Sequence, residues 1–257
     1  MDEAAGTPAA EPRETHEDFD WLGPTQSLLT TIVIAVFVIT FLIQAFQIPT
    51  ESMENTLLTG DYLLVDKLHF GGKIGAPLIP YHQIGHGDIV VFHYPIHPEL
   101  HFVKRVIGVP GDRLRLINRE VYVNGVPLDE PYARHIRDQH DVYRDEFPRL
   151  NIPAEGLEGR WWLQMQKLVE DGQLIIPEKS YFVMGDNRDD SSDSRYWGFV
   201  PEENVIGRPL IIYWSLRSFS EDMPASPTTG DRLFHLIYGM THLFQITRWD
   251  RTFRVVR

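Results

Sequence analysis

The chain has no cysteine among its 257 residues. That excludes disulfides, thiolate-bound zinc, iron–sulfur clusters and a thiol nucleophile together. It leaves the redox compartment open, because a chain without thiols tolerates either regime. Basic charge is also scarce: 24 Lys and Arg stand against 36 Asp and Glu, a net charge of −12. This balance argues against nucleic acid as a partner, since phosphate binding wants a basic surface. Hydrophobic residues at 43% and charged residues at 23% exclude a wholly disordered chain and a multi-span membrane protein. Half of the net charge lies in residues 1–20, where Asp2, Glu3, Glu11, Glu14, Glu17, Asp18 and Asp20 accompany a single base, Arg13. Such a stretch cannot bury enough apolar surface to fold, so residues 1–26 are expected to form an acidic, disordered tail.

Charge is then missing altogether from Trp21 to Thr50. Within that window, Ser27–Ile48 is a 22-residue apolar run without Gly or Pro. As a helix it would be about 33 Å long, enough to cross a hydrocarbon core of roughly 30 Å. A cleaved signal peptide would have a shorter apolar region behind Lys or Arg and a small-residue cleavage site. Here the flank is acidic and the exit is Gln47-Ile48-Pro49. A retained transmembrane anchor over 27–48, in contact with the lipid bilayer, is therefore expected.

Beyond the anchor, short β-branched and aromatic runs recur between turn signals: Tyr62–Val65, Ile89–Phe92, Phe102–Ile107, Leu114–Ile117, Glu120–Val123, Tyr181–Met184 and Leu210–Trp214. Asn118-Arg119 and Asn124-Gly125 sit where hairpin turns would go. The expected fold is mostly β, an antiparallel β domain over 49–220. Residues 133–173 interrupt it as an inserted smaller lobe, with a helix-like stretch from Trp161 ending at Gly172. The C-terminal segment, 221–257, reads as amphipathic. Its apolar residues from Leu233 to Ile246 recur near helical spacing, with Trp249 and Arg232, Arg248, Arg251, Arg254 and Arg257 around them. Too polar to span a bilayer, it suits a helix lying in the membrane interface or one packed on the β domain.

Three blocks carry chemistry. Ile48-Pro49-Thr50-Glu51-Ser52-Met53 follows the apolar run, His101-Phe102-Val103-Lys104-Arg105-Val106 comes next, and Gly185-Asp186-Asn187-Arg188-Asp189-Asp190-Ser191-Ser192-Asp193-Ser194-Arg195 comes last. A serine hydroxyl is a poor nucleophile unless a base takes its proton. Lysine can be that base if desolvation lowers its pKa from about 10.4 toward 7. In a strand, Lys104 shares a face with Phe102 and Val106, which places it for desolvation. Ser52 lies four positions beyond Ile48, within roughly 13 Å of the expected membrane boundary, where a substrate tethered in the bilayer could reach it. Read alone, Ser52 fits a common turn or N-cap serine, and an edge-strand lysine reaching solvent is the better reading of Lys104.

In this order behind one anchor, the blocks resemble bacterial signal peptidase I, over roughly residues 48–132 and 174–215. The resemblance implies a membrane-bound serine endopeptidase cleaving signal peptides from exported preproteins. It implies Ser52 as nucleophile, Lys104 as general base, and the Ser52 N–H with the Thr50 hydroxyl as oxyanion donors. Ser191 would orient Lys104, and Asp193–Arg195 would be an ion pair beside the site. Thr50 stands where the family usually has Ser, Asn55 where it has Pro, and Asp190 where it has Asn. The implied location is the inner (plasma) membrane, single-pass, with the catalytic domain outside the cytoplasm and the tail inside. The rival from another class is an anchored, non-catalytic β domain that binds exported peptides.

Other signals are weaker. The acidic third block fails as a calcium loop, because Ser191 stands where glycine is needed and Trp197 where glutamate is needed. Six of the 11 histidines fall within 69–101, with His82/His86 and His93/His97/His101 four apart. Pro80, Gly85, Gly87, Pro95 and Pro98 forbid the helix that would gather them on one face. No metal and no cofactor are expected.

Overall fold

The computed structural model describes residues 22–38, 42–67, 83–151, 154–217 and 243–256. It divides into two units, residues 1–38 and 39–257. In the first, α1 (Leu22–Phe37) carries Pro24 within its first turn, where a missing N–H is tolerated. Leu28, Leu29, Ile32, Val33, Ile34, Val36 and Phe37 are all exposed on it.

The expected span over 27–48 is corrected here. Ile43–Gln47 is not helix but a strand, β1, paired antiparallel with β2 (Asp61–Asp66) from Ile43↔Asp66 to Gln47↔Tyr62. The reason is period two: Phe46 and Ile48 turn inward while Ala45 and Gln47 stay exposed. Among the described residues no helix is long and apolar enough to cross a membrane.

The second unit is built on two antiparallel sheets. The larger contains β1, β2, β3 (Ile89–His93), β4 (His101–Gly108), β10 (Ser180–Met184), β11 (Val200–Pro201), β12 (Val205–Ser215) and β13 (Arg254–Val255). Its order is β1-β2-β12-β3-β4-β10-β11, with β13 on β12. The smaller runs β7 (Val126–Pro127), β6 (Glu120–Val123), β5 (Arg113–Ile117), β9 (Gln173–Ile175), β8 (Val169–Glu170). Every expected strand core is present. Asn118-Arg119 and Asn124-Gly125 both have positive φ at two successive residues, the twist that tight hairpins require.

The smaller lobe draws β5–β7 from outside the expected insertion, 133–173. Within that insertion α2 (Gly159–Leu168) is helical, capped by the Glu158 carboxylate on Trp161 N. The helix stops at Leu168 rather than Gly172; Asp171-Gly172 is the positive-φ turn of the β8–β9 hairpin. Trp161 and Met165 pack into a core with Leu114, Phe147, Leu174 and Phe182.

Of the expected C-terminal segment, 221–257, residues 221–242 lie outside the described residues. Leu243–Ile246 forms a one-turn helix, and the chain then runs back along β12 as β13. Arg248 and Arg251 turn toward the fully buried Asp61, at 3.9 and 2.5 Å.

Candidate active site

Ser52 sits in a 3-10 turn, Glu51–Met53, and is buried with Met53. This turn rests on the end of β10 because residue 185 is glycine. A Cβ there would stand 2.4 Å from Ser52 O and 2.3 Å from Ser191 Oγ, distances no side chain can occupy. Asn187 completes the grip, its N–H donating to Ser52 O at 3.1 Å and its Nδ2 to Glu51 O at 3.4 Å.

Across from it, β4 delivers Lys104. Its Nζ lies 2.5 Å from Ser52 Oγ, and both side chains are buried. Burial pulls the lysine down from 10.5 to about 8; Asp193 and Asp186 oppose that shift and Arg195 assists it. Asp193 does not serve as its counter-ion. Burial alone would raise Asp193, but the Arg195 guanidinium, bonded to both its oxygens at 2.8 Å, holds it below the usual carboxylate range. Lys104 thus keeps a hydroxyl as its partner and the pair Asp193–Arg195 as neighbour.

Thr50 Oγ1 is 3.4 Å from Ser52 Oγ, close enough to face charge that develops beside it. Ser191 is buried as well. Its hydroxyl lies near enough to Asp193 to help hold that carboxylate ionised, but it makes no hydrogen bond of good geometry and none to Lys104. The expected orienting contact is therefore not formed. The structure brings Thr50, Ser52, Lys104, Ser191, Asp193 and Arg195 into one neighbourhood.

The pair lies in a cleft of about 450 Å³ lined by Phe46, Gln47, Ile48, Leu100, His101, Phe102, Asp190 and Ser192 among others. One wall is β1, residues the apolar run had concealed as membrane helix. The other is the start of β4, and Phe46 and His101 approach with ring centroids 5.4 Å apart. Two further residues lacked a sequence signal. Arg105 is bonded through Nε and Nη2 to Asp186 at 2.8 and 2.7 Å, and Thr56 Oγ1 donates to Asp186 at 2.6 Å. His93 and His101 face each other across β3 and β4 with centroids 4.8 Å apart; His69 and His82 lie outside the described residues.

A buried serine bonded to a lysine of lowered proton affinity, at the floor of a cleft, can open an acyl bond. The family described as "Signal peptidase, peptidase S26" matches residues 21–214. A signal peptidase I of Aquifex aeolicus is 34% identical over 246 residues, covering 83% of this chain and 91% of that one. One from Pseudomonas fluorescens is 33% identical over 204 residues, covering 74% and 71%. A solved signal peptidase I from Enterococcus faecalis is 31% identical, covers 49% of this chain and 97% of its own, and has a TM-score of 0.38. The chain belongs to the signal peptidase family, peptidase S26, and is a serine endopeptidase.

Proposed function

We propose that this peptidase removes signal peptides from exported preproteins with Ser52 as nucleophile and Lys104 as general base. The observation that carries the reading is the 2.5 Å contact between Lys104 Nζ and Ser52 Oγ, with no carboxylate among the described residues bonded to the lysine. Neutral Lys104 takes the Ser52 proton as Oγ attacks the scissile carbonyl carbon. The oxyanion so formed accepts from the Ser52 N–H and the Thr50 hydroxyl. Lys104 returns the proton to the departing amine, the acyl-enzyme forms, and water deprotonated by Lys104 releases the acid. The substrate lies extended in the cleft between β1 and β4, its side chains alternating into shallow pockets.

Membrane attachment belongs to the same reading. The apolar residues of α1 are exposed on every side, and a bilayer is the environment that covers such a helix. Because β1 takes residues 43–47, the lipid-buried part is α1 rather than 27–48. The catalytic unit then lies outside the cytoplasm and the acidic tail within.

The test is acyl-enzyme capture on full-length protein in detergent with a preprotein substrate. Ester-linked peptide on Ser52 is expected, absent in Ser52→Ala. Turnover by Ser52→Ala, or capture on another residue, would overturn the assignment. The rate should rise through about pH 8, the value for Lys104, rather than 10.5.

A further inference from the structure

After Ser52 the chain makes a loop, residues 54–60, before entering β2. Its near end is tied by Thr56 N and Leu57 N donating to Met53 O at 3.1 and 2.8 Å. Two larger restraints come from elsewhere. On one side the Thr56 hydroxyl donates to Asp186 Oδ2 at 2.6 Å and accepts from Arg105 Nη2 at 3.2 Å. Asp186 precedes Asn187, which holds Ser52 O. On the other side Arg251 Nη2 donates to Thr56 O at 3.0 Å and to Asp61 Oδ2 at 2.5 Å. Arg248 Nη2 bonds Thr59 O and Leu216 O in the same way, at 2.5 and 2.6 Å. Ser215 Oγ and Leu58 N complete the shell of Asp61, which is fully buried. Thr56 is the junction: its side chain belongs to the turn that grips the nucleophile, its carbonyl to the last residues of the chain.

We propose that Thr56 and Arg251 are positioning residues for the Ser52–Lys104 pair, and that residues 247–256 act as a strap holding the nucleophile's loop. The proposal rests on the Ser/Lys reading above. The physical argument is geometric. A proton transfer at 2.5 Å tolerates little displacement, and misplacement by about 1 Å can cost about 100-fold in rate. Ser52 has no rigid element of its own, since a 3-10 turn of three residues is held only by what it touches. The charged groups facing Lys104 are Asp193 and Arg195, near the start of the short helix Ser194–Trp197, and Asp186, after β10. Only Asp186 is bonded by Thr56. Without that hydroxyl the carboxylate is less neutralised and favours the protonated lysine more strongly.

The test uses full-length Thr56→Val, Arg251→Met and Arg251→Lys with a preprotein substrate. Thr56→Val, which keeps shape and loses the hydroxyl, should lower kcat by about tenfold or more with KM little changed, and move the pH midpoint upward. Arg251→Lys, which can still reach Asp61, should recover activity that Arg251→Met loses. Burst titration of acyl-enzyme counts the competent molecules. A Thr56→Val enzyme with wild-type kcat and midpoint overturns the proposal. So does one whose loss lies wholly in the burst amplitude, which would mean fewer folded molecules rather than misplaced groups. If Arg251→Met does not fold because Asp61 is stranded, Asp61→Asn with Arg251→Met removes that charge; wild-type kcat in the double variant overturns the strap. Turnover by Ser52→Ala would instead sink the underlying dyad.

Discussion

Lys104 and Arg105 are adjacent on β4, both are about 4% exposed, and they project to opposite faces of the strand. Arg105 has everything a buried cation wants: both oxygens of Asp186, the Gly87 carbonyl at 2.7 Å and the Tyr132 ring 3.9 Å from its guanidinium carbon. Lys104 has the Ser52 hydroxyl, while the nearest pair, Asp193–Arg195, is closed on itself. Burial without a bonded carboxylate lowers the Lys104 pKa, whereas Arg105 meets its carboxylate at hydrogen-bond distance. The two faces of the strand differ in partner supply, not in depth.

The largest effect that would break this comparison comes from stranding the anion. Arg105→Met leaves Asp186 buried at 0% exposure without its guanidinium, a loss of about 3–5 kcal/mol of stability. Denaturant unfolding checks it. A loss below about 1 kcal/mol would show that Asp186 is neutralised by other means, and the contrast between the faces would fall.

On the Lys104 face the comparison is sharpened by activity. Thr50→Val keeps the shape, deletes the hydroxyl 3.4 Å from Ser52 Oγ, and should reduce kcat on the order of 10²–10³-fold. Thr50→Ser should be tolerated. Single-turnover kinetics separate the chemical step from binding, and a fully active valine variant would leave the oxyanion to the backbone N–H alone.

Next comes the stability that Lys104 costs. Folding lowers its pKa from 10.5 to about 8, so between those values the unfolded chain binds more protons and stability rises with pH. Below about pH 8 the penalty is fully present. At about 1.36 kcal/mol per pH unit it amounts to roughly 3 kcal/mol. Lys104→Met should therefore be inactive yet more stable by up to about 3 kcal/mol at pH 7, the gain fading as pH passes through 8 to 10.5. Equal stability of the two proteins at pH 7 and pH 10 would contradict the desolvated lysine.

Much of the β architecture was legible, because strands such as Phe102–Ile107 and Tyr181–Met184 announce themselves by β-branched and aromatic content and the hairpins by Asn-Gly. Lys104 and Ser52 were singled out by the resemblance of their blocks, and the structure brings the two side chains together. What escaped was hidden by physics that composition does not carry. Ile43–Gln47 continued an uncharged run, and hydrophobicity masked its period of two. The helix after Trp161 was drawn too long, because Asp171-Gly172 serves a hairpin as well as it would end a helix. Thr56, Gly185 and Arg251 gave no local signal. Their roles exist only once β10, the loop after Ser52 and the C-terminal segment meet, through contacts spanning up to 195 residues. The expected bond from Ser191 to Lys104 was inherited from the resemblance, and the geometry does not form it.

The smallest effect concerns a third arginine–carboxylate pair, which sets the scale for the other two. Arg137 and Asp190 meet at the rim of the cleft, with side-chain exposures of 58% and 35%. Water screens both groups, and holding two long side chains together costs rotamer freedom, so such pairs contribute about 0.2–1 kcal/mol. Asp189 beside it is different: buried, it accepts from Ile136 N and Arg137 N at 2.7 Å each and holds the loop without help from Asp190. Asp190→Asn, which keeps the shape and removes the charge, should therefore shift stability by less than about 1 kcal/mol and leave the Lys104 midpoint in place. The shift should shrink further in high salt, where exposed charges are screened within roughly 3 Å at 1 M. A loss of several kcal/mol, insensitive to salt, would mean that exposure does not separate this pair from Arg105–Asp186, and that the contrast between the faces of β4 has another cause.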